Sequence, residues 1–164
     1  MENKEPEYYR DEEFGSRLLI SPEADKTELY DNIRCARTLL STFPEMNIVI
    51  LKHTMEFQIK NPEYLIDGQI GDRKGIHSEN GITNAFKKAV KQGCCIVVLD
   101  LDMHMFNQLL HPRQIAKHIV WRPDFTEEQI RLCYVVYRGR AVVVRHDQKE
   151  CEEIITILEK LKAE

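Results

Sequence analysis

Glycine and proline are scarce in this 164-residue sequence, at 7 and 6 residues, which excludes collagen-like and low-complexity chains. The cysteines number five, at 35, 94, 95, 133 and 151, with no CxxC pair among them. An odd count at these spacings fits neither a disulfide framework nor a zinc knuckle. All five are therefore expected to be small buried hydrophobes in a reducing compartment. No apolar run approaches the ~20 residues that cross a bilayer. The opening MENKEPEYYRDEEF also lacks the basic-then-apolar order of a signal peptide. A cytoplasmic location is expected, with no membrane partner. Walker, GxGxxG and GxSxG patterns are all missing, so nothing points to a nucleotide-binding loop or a serine-hydrolase elbow.

Positive charge is not in excess. Asp and Glu total 27 against 23 Lys and Arg, a net charge of -4. The distribution is uneven, however. Residues 1–28 carry 9 acids and 4 bases, residues 147–164 carry 6 and 3, and the stretch between carries 12 and 16. A basic centre between acidic ends is compatible with a phosphate-bearing ligand, though charges scattered over a solvated surface would give the same totals. A hydrophobic fraction of 43% at this length implies one globular core. The expected organisation is a flexible acidic arm over 1–15 and a single domain over 16–164.

Apolar periodicity places strands at 16–21 and 46–53 with a helix between them, where Leu29, Ile33, Ala36, Leu39, Leu40 and Phe43 recur at helical spacing. Asp67-Gly68, set between YLI and QI, is a two-residue hairpin signal, because a type I′ turn needs residues that tolerate positive φ. NGITNAFKKAVKQG (80–93) reads as an amphipathic helix, CCIVVLDLD (94–102) as a strand buried on both faces, and 105–119 as including a helix. RLCYVVY and RAVVVRH form a second hairpin around Arg138-Gly139, and 150–162 closes the chain as a helix. The fold class that follows is α/β (α+β), a central mixed β-sheet flanked by helices.

Counting outward from Asp67-Gly68 pairs Ile66 with Gln69, Leu65 with Ile70, Tyr64 with Gly71 and Glu63 with Asp72. Strand alternation then places Glu63, Leu65, Ile70, Asp72 and Lys74 on one side. Two facing carboxylates repel, and either Lys74 or a divalent cation between them would compensate. A hard cation such as Mg²⁺ is held by one or two carboxylates plus water and phosphate oxygens, and it stabilises charge developing on a transferring phosphoryl group. An exposed ion pair beside a turn would satisfy the same spacing. Asp100, Asp102 and His104, alternating at the end of a buried strand, read either as a second metal site or as a solvated acidic exit from the sheet.

Pro62-Glu63, eight residues, then Asp72-Arg73-Lys74 resembles the PD-(D/E)XK motif of metal-dependent nucleases, with Glu where Asp is usual. The layout over roughly 16–146 is similar to the tRNA-nuclease toxin domains at the C-termini of CdiA-type contact-dependent inhibition proteins and of related phage and mobile-element proteins. The resemblance implies a restriction-endonuclease-like fold and a bacterial nuclease acting on RNA or tRNA. It also implies a divalent metal, Mg²⁺ or alternatively Mn²⁺ or Zn²⁺, and a cognate immunity protein. It makes Glu63 and Asp72 metal ligands, Lys74 the catalytic lysine, Glu28 an additional acid on the first helix and Gln92 a polar residue reaching the site. Lys87, Lys88 and Lys91 would face the nucleic-acid backbone. Two other classes compete. One is a metal-independent ribonuclease of the barnase, EndoU or RelE-like kind, relying on residues such as His77 or Arg113. The other is a non-catalytic nucleic-acid or protein-binding module.

Overall fold

The computed structural model describes residues 7–55, 61–102 and 111–162. In chain order the elements are β1 (Tyr9–Asp11), β2 (Gly15–Ile20), α1 (Leu29–Thr42), β3 (Ile48–Ile50), β4 (Tyr64–Ile66) and β5 (Gln69–Gly75). Then come α2 (Asn80–Lys91), β6 (Ile96–Asp100), α3 (Pro112–Val120), β7 (Leu132–Tyr137), β8 (Arg140–Arg145) and α4 (Cys151–Glu159), with a final 3-10 turn over Lys160–Lys162.

The strands form one eight-stranded mixed sheet in which spatial order follows chain order. β2/β3, β5/β6 and β6/β7 pair parallel, and the other neighbours pair antiparallel. Parallel neighbours need a crossover, and α1, α2 and α3 lie in the chain at those three junctions. Alternate residues of β6 feed two cores. Val97 and Leu99 pack with Phe86, Ile115, Ile119, Ile154 and Leu158, contributed by α2, α3 and α4. Ile96 and Val98 pack with Leu39, Leu40, Tyr64 and Ile66 on the α1 side. A strand covered on both faces has no polar side, which explains the unbroken apolar run that marks β6 in the sequence.

Both hairpin turns form where expected. Asp67 and Gly68 have φ of 48° and 81°, and Arg138 and Gly139 have 49° and 72°. Asp67 Oδ1 also accepts from the Asn47 backbone N–H at 2.8 Å, so this carboxylate ties the turn to the start of β3. Within the segment read from sequence as an acidic arm, Tyr9–Asp11 adds an edge strand antiparallel to β2. Asp11, only 6% exposed, accepts from Arg37 Nη2 at 2.7 Å and from the Glu13 and Phe14 backbone N–H groups. A three-residue strand has too short a period to register as a pattern, and its anchor is a contact to α1.

Candidate nuclease-like site

The hairpin opens where the sequence concentrates its chemistry. β4 pairs with β5 only as far as Tyr64 opposite Gly71, while β5 runs on to Gly75 beside β6. Asp72, Arg73 and Lys74 therefore lie on a stretch of β5 that β4 no longer flanks. Pro62, which has no N–H to give to a ladder, precedes Glu63 at this opening.

Alternation along β5 sends Asp72 and Lys74 to one face and Arg73 to the other. Asp72 is 2% exposed, and its Oδ1 has no hydrogen-bond partner among the described residues. Burial pushes its carboxyl above the usual carboxylate range. Opposing that, in order of strength, are the charge of Lys88 on α2, the Glu63 backbone N–H, and the charges of Lys74 and Arg73. Lys74 is half-buried, and its side chain makes no hydrogen bond or ion pair among the described residues. Of the three lysines of α2, all exposed, Lys88 is the one whose charge acts on the site.

Glu63 departs from the expected register. It lies just before β4 rather than in the ladder, and its Oε2 accepts from Asn32 Nδ2 of α1 at 2.6 Å. Leu65, Ile70, Asp72 and Lys74 keep one face. The Glu63 carboxylate is instead drawn to the α1 side by an amide that offers it a hydrogen bond. It still feels its neighbour: burial raises its pKa, the Asn32 hydrogen bond lowers it, and the Asp72 and Glu28 charges raise it.

Behind the opening lies a buried polar cluster. Arg73 donates from Nε to Asn32 Oδ1 at 2.6 Å, from Nη1 to Asp100 Oδ2 at 2.7 Å and from Nη2 to Glu28 Oε2 at 2.8 Å. Glu28, at the N-cap of α1, makes no side-chain cap hydrogen bond. It is brought to the site, paired there with Arg73. Gln92, the C-cap of α2, accepts from the Asn61 backbone N–H at 2.7 Å and so fixes the approach to Pro62-Glu63.

Asp100 and Asp102, read from the sequence as a second metal site or a solvated exit, are both held by protein donors. Asp100, fully buried, accepts from Arg34 Nη2 at 2.5 Å with the same oxygen that meets Arg73. Asp102 accepts from the Arg138 backbone N–H at 2.5 Å in the β7/β8 turn. His104 lies outside the described residues. Trp121 is 70% exposed, and Arg113 pairs with Glu152 on the surface at 3.0 Å.

Asn32 and Arg34 are residues of this cluster that sequence reasoning missed, and the parts played by Arg73 and Asp100 in it were not foreseen. The available signal was a polar Asn on the buried stripe of α1, in line with Ala36 and Leu39, and a charged residue at the inward position of β5.

No group of three or more His, Cys, Asp or Glu side chains among the described residues is placed to hold a metal ion. The candidate donors are Glu63 and Asp72. Their all-oxygen chemistry and the unpartnered buried oxygen of Asp72 fit a hard cation that keeps waters and phosphate oxygens in its shell. They do not fit a four-ligand structural zinc.

No curated protein and no solved structure gives a significant match to this chain. The family model described as the contact-dependent growth inhibition CdiA C-terminal domain matches residues 60–132. That segment runs from the residue before Asn61, through β4, β5, α2, β6 and α3, to the start of β7. The stretch holding Glu63, Asp72, Lys74, Lys88 and Gln92 is therefore the part of the chain that is similar to a CdiA-type toxin domain.

Proposed function

We propose that this chain is a toxin-type nuclease of the PD-(D/E)XK kind that hydrolyses phosphodiester bonds, in RNA and specifically tRNA, with a divalent cation. The observation that carries this is Asp72, a buried carboxylate with an unpartnered oxygen where the hairpin opens, acted on by the charges of Lys88 and Lys74. A structural carboxylate buried to this degree would normally have its oxygens satisfied.

Glu63 and Asp72 would hold Mg²⁺ or Mn²⁺. The bound cation would supply electrostatic stabilisation of the phosphoryl transition state and activation of water. The chain's own residues do the rest. Lys74, on the Asp72 side of β5, presents an ammonium with three donors to the scissile phosphate and the attacking water. Lys88 offsets the burial of Asp72. Gln92 holds the Asn61 backbone and hence the approach of Glu63, while Lys87 and Lys91 offer charge to the nucleic-acid backbone. A toxin of this type calls for a cognate immunity protein in the cell that makes it.

The test is cleavage of a tRNA pool by the purified protein with and without EDTA, beside Asp72→Ala and Lys74→Ala. Loss of cleavage in EDTA and in both variants, with the folded state retained, is the expected result. Unchanged cleavage by Asp72→Ala would overturn the assignment. Activity that survives EDTA and falls with His77→Ala would transfer it to a metal-independent ribonuclease.

A further inference from the structure

Asn32 has no place in the motif, yet three of its atoms are committed to the motif strands. Its Nδ2 donates to Glu63 Oε2 at 2.6 Å, its Oδ1 accepts from Arg73 Nε at 2.6 Å, and its backbone carbonyl accepts from the Tyr64 hydroxyl at 2.6 Å. The side chain is 1% exposed, so water cannot replace these partners.

The orientation of the amide is decided by chemistry. A guanidinium has only donors, so the Asn32 atom facing Arg73 must be the oxygen. The NH₂ group is then left to face Glu63, which must offer it a lone pair. Arg73 is itself held on its other two nitrogens by Asp100 and Glu28. The chain Asp100, Arg73, Asn32, Glu63 thus runs from the fully buried end of β6 to the open end of the hairpin with one donor and one acceptor at each step.

We infer that Asn32 is a positioning residue for Glu63, fixing its carboxylate on the α1 side of the hairpin's opening, and that the Arg73–Asp100 pair sets the direction in which Asn32 points. The proposal rests on the nuclease reading for its consequence in catalysis, and on hydrogen-bond geometry for its existence. A metal-binding carboxylate is oriented by the groups that hydrogen-bond to it. Loss of such a partner costs roughly 10- to 100-fold in metal affinity or activity.

Asn32→Asp separates this role from a purely structural one. Aspartate keeps an acceptor for Arg73 but offers Glu63 no donor and repels it. If Asn32 serves only the core, Asn32→Asp should cleave like the wild type. If it positions Glu63, cleavage at saturating Mg²⁺ should fall about 10- to 100-fold with KM for RNA unchanged. Cleavage is compared per folded molecule, because a carboxylate introduced at a 1% exposed position beside Glu63 lowers the thermal midpoint as well. Wild-type cleavage by Asn32→Asp, or a loss matched by the fraction of unfolded protein, would overturn the proposal. A crystal structure of Asn32→Asp decides without reference to activity. Glu63 displaced from its present position supports the assignment, and Glu63 unmoved refutes it. Should Asp72→Ala retain activity, the nuclease reading fails, and that structure still settles what Asn32 does.

Discussion

Arg73 and Asp100 meet at 2.7 Å with side chains 3% and 0% exposed, directly behind the strand segment that carries Asp72 and Lys74. Charges this far from water are paired or costly. Asp100 also takes Arg34 on the same oxygen, so two guanidinium groups share one buried carboxylate. The rear wall of the candidate site is thus an ionic cluster on the α1 side of β5, where an apolar face would otherwise continue.

Arg73→Leu should therefore be among the most destabilising single changes in the protein. Removing one partner leaves Asp100 short of a donor in a dry site, and breaking a buried pair costs about 3–5 kcal/mol. Arg34→Leu should cost less, because Arg34 is 27% exposed at the side chain and Asp100 keeps Arg73. Urea unfolding of the two variants checks the order, and equal midpoints would contradict the asymmetry.

Gln92→Leu should spare stability and impair turnover. The side chain receives the Asn61 N–H at 2.7 Å, two residues before Glu63, and α2 retains its backbone C-cap bonds to Lys88 and Val90. A single neutral hydrogen bond contributes about 0.5–1.5 kcal/mol, so the fold should survive. A small misplacement near reacting groups can cost on the order of 100-fold in rate. Steady-state cleavage with KM and kcat measured separately tests this. A change confined to KM would place Gln92 on the substrate instead.

Apart from β1, the strand and helix order was legible because apolar patterning marks the elements and each hairpin turn carries a residue pair suited to positive φ. Asp67-Gly68 and Arg138-Gly139 even fix register, and the observed pairing of Tyr64 with Gly71 and Leu65 with Ile70 follows from counting. Counting failed one residue later. It assumes that the ladder continues, whereas Glu63 lies outside it and turns to Asn32. Whether a strand end stays paired depends on what the neighbouring helix offers, and that contact spans 31 residues. Asp100 was ambiguous for a related reason. At the C-terminal end of a strand an acid is as compatible with a ligand site as with a salt bridge. Only the tertiary placement of Arg34 and Arg73 decides between them.

Lys88→Ala should raise the pH needed for cleavage. Among the charges acting on Asp72, Lys88 opposes the burial penalty most strongly. Without it the carboxyl is easier to protonate, and a protonated carboxyl cannot serve as a metal ligand. The acid limb of the pH–rate profile should shift upward in Lys88→Ala and stay in place in Lys87→Ala. Both variants should show a weaker dependence of RNA binding on salt if both contact phosphate. An acid limb common to all three proteins would remove Lys88 from the site.

The raised pKa of Asp72 also predicts how stability depends on pH. A carboxyl whose folded pKa lies above its unfolded value binds protons more tightly when folded. Its favourable contribution is complete below the unfolded value, near 3.8 for Asp72, and is lost as pH rises through the folded one. Asp72 therefore makes the metal-free protein less stable at neutral pH than it would be without the charge. Asp11 runs the other way. Although burial acts against it, the hydrogen bond from Arg37 holds its carboxyl below the ordinary range, so acid weakens that contact. Comparing a variant with the wild type cancels Asp11 and isolates Asp72. Asp72→Asn should be more stable than wild type at pH 7, because it removes a charge that burial penalises. The gap should close as pH falls toward 4. Mg²⁺ should close it from the other side. At 100 times its dissociation constant a ligand that binds only the folded state stabilises by about 2.7 kcal/mol, and Asp72→Asn should gain little of this. Thermal midpoints at pH 4 and pH 7, each with and without Mg²⁺, test both arms. A wild type as stable as Asp72→Asn at pH 7 and indifferent to Mg²⁺ would show that Asp72 is an ordinary structural carboxylate.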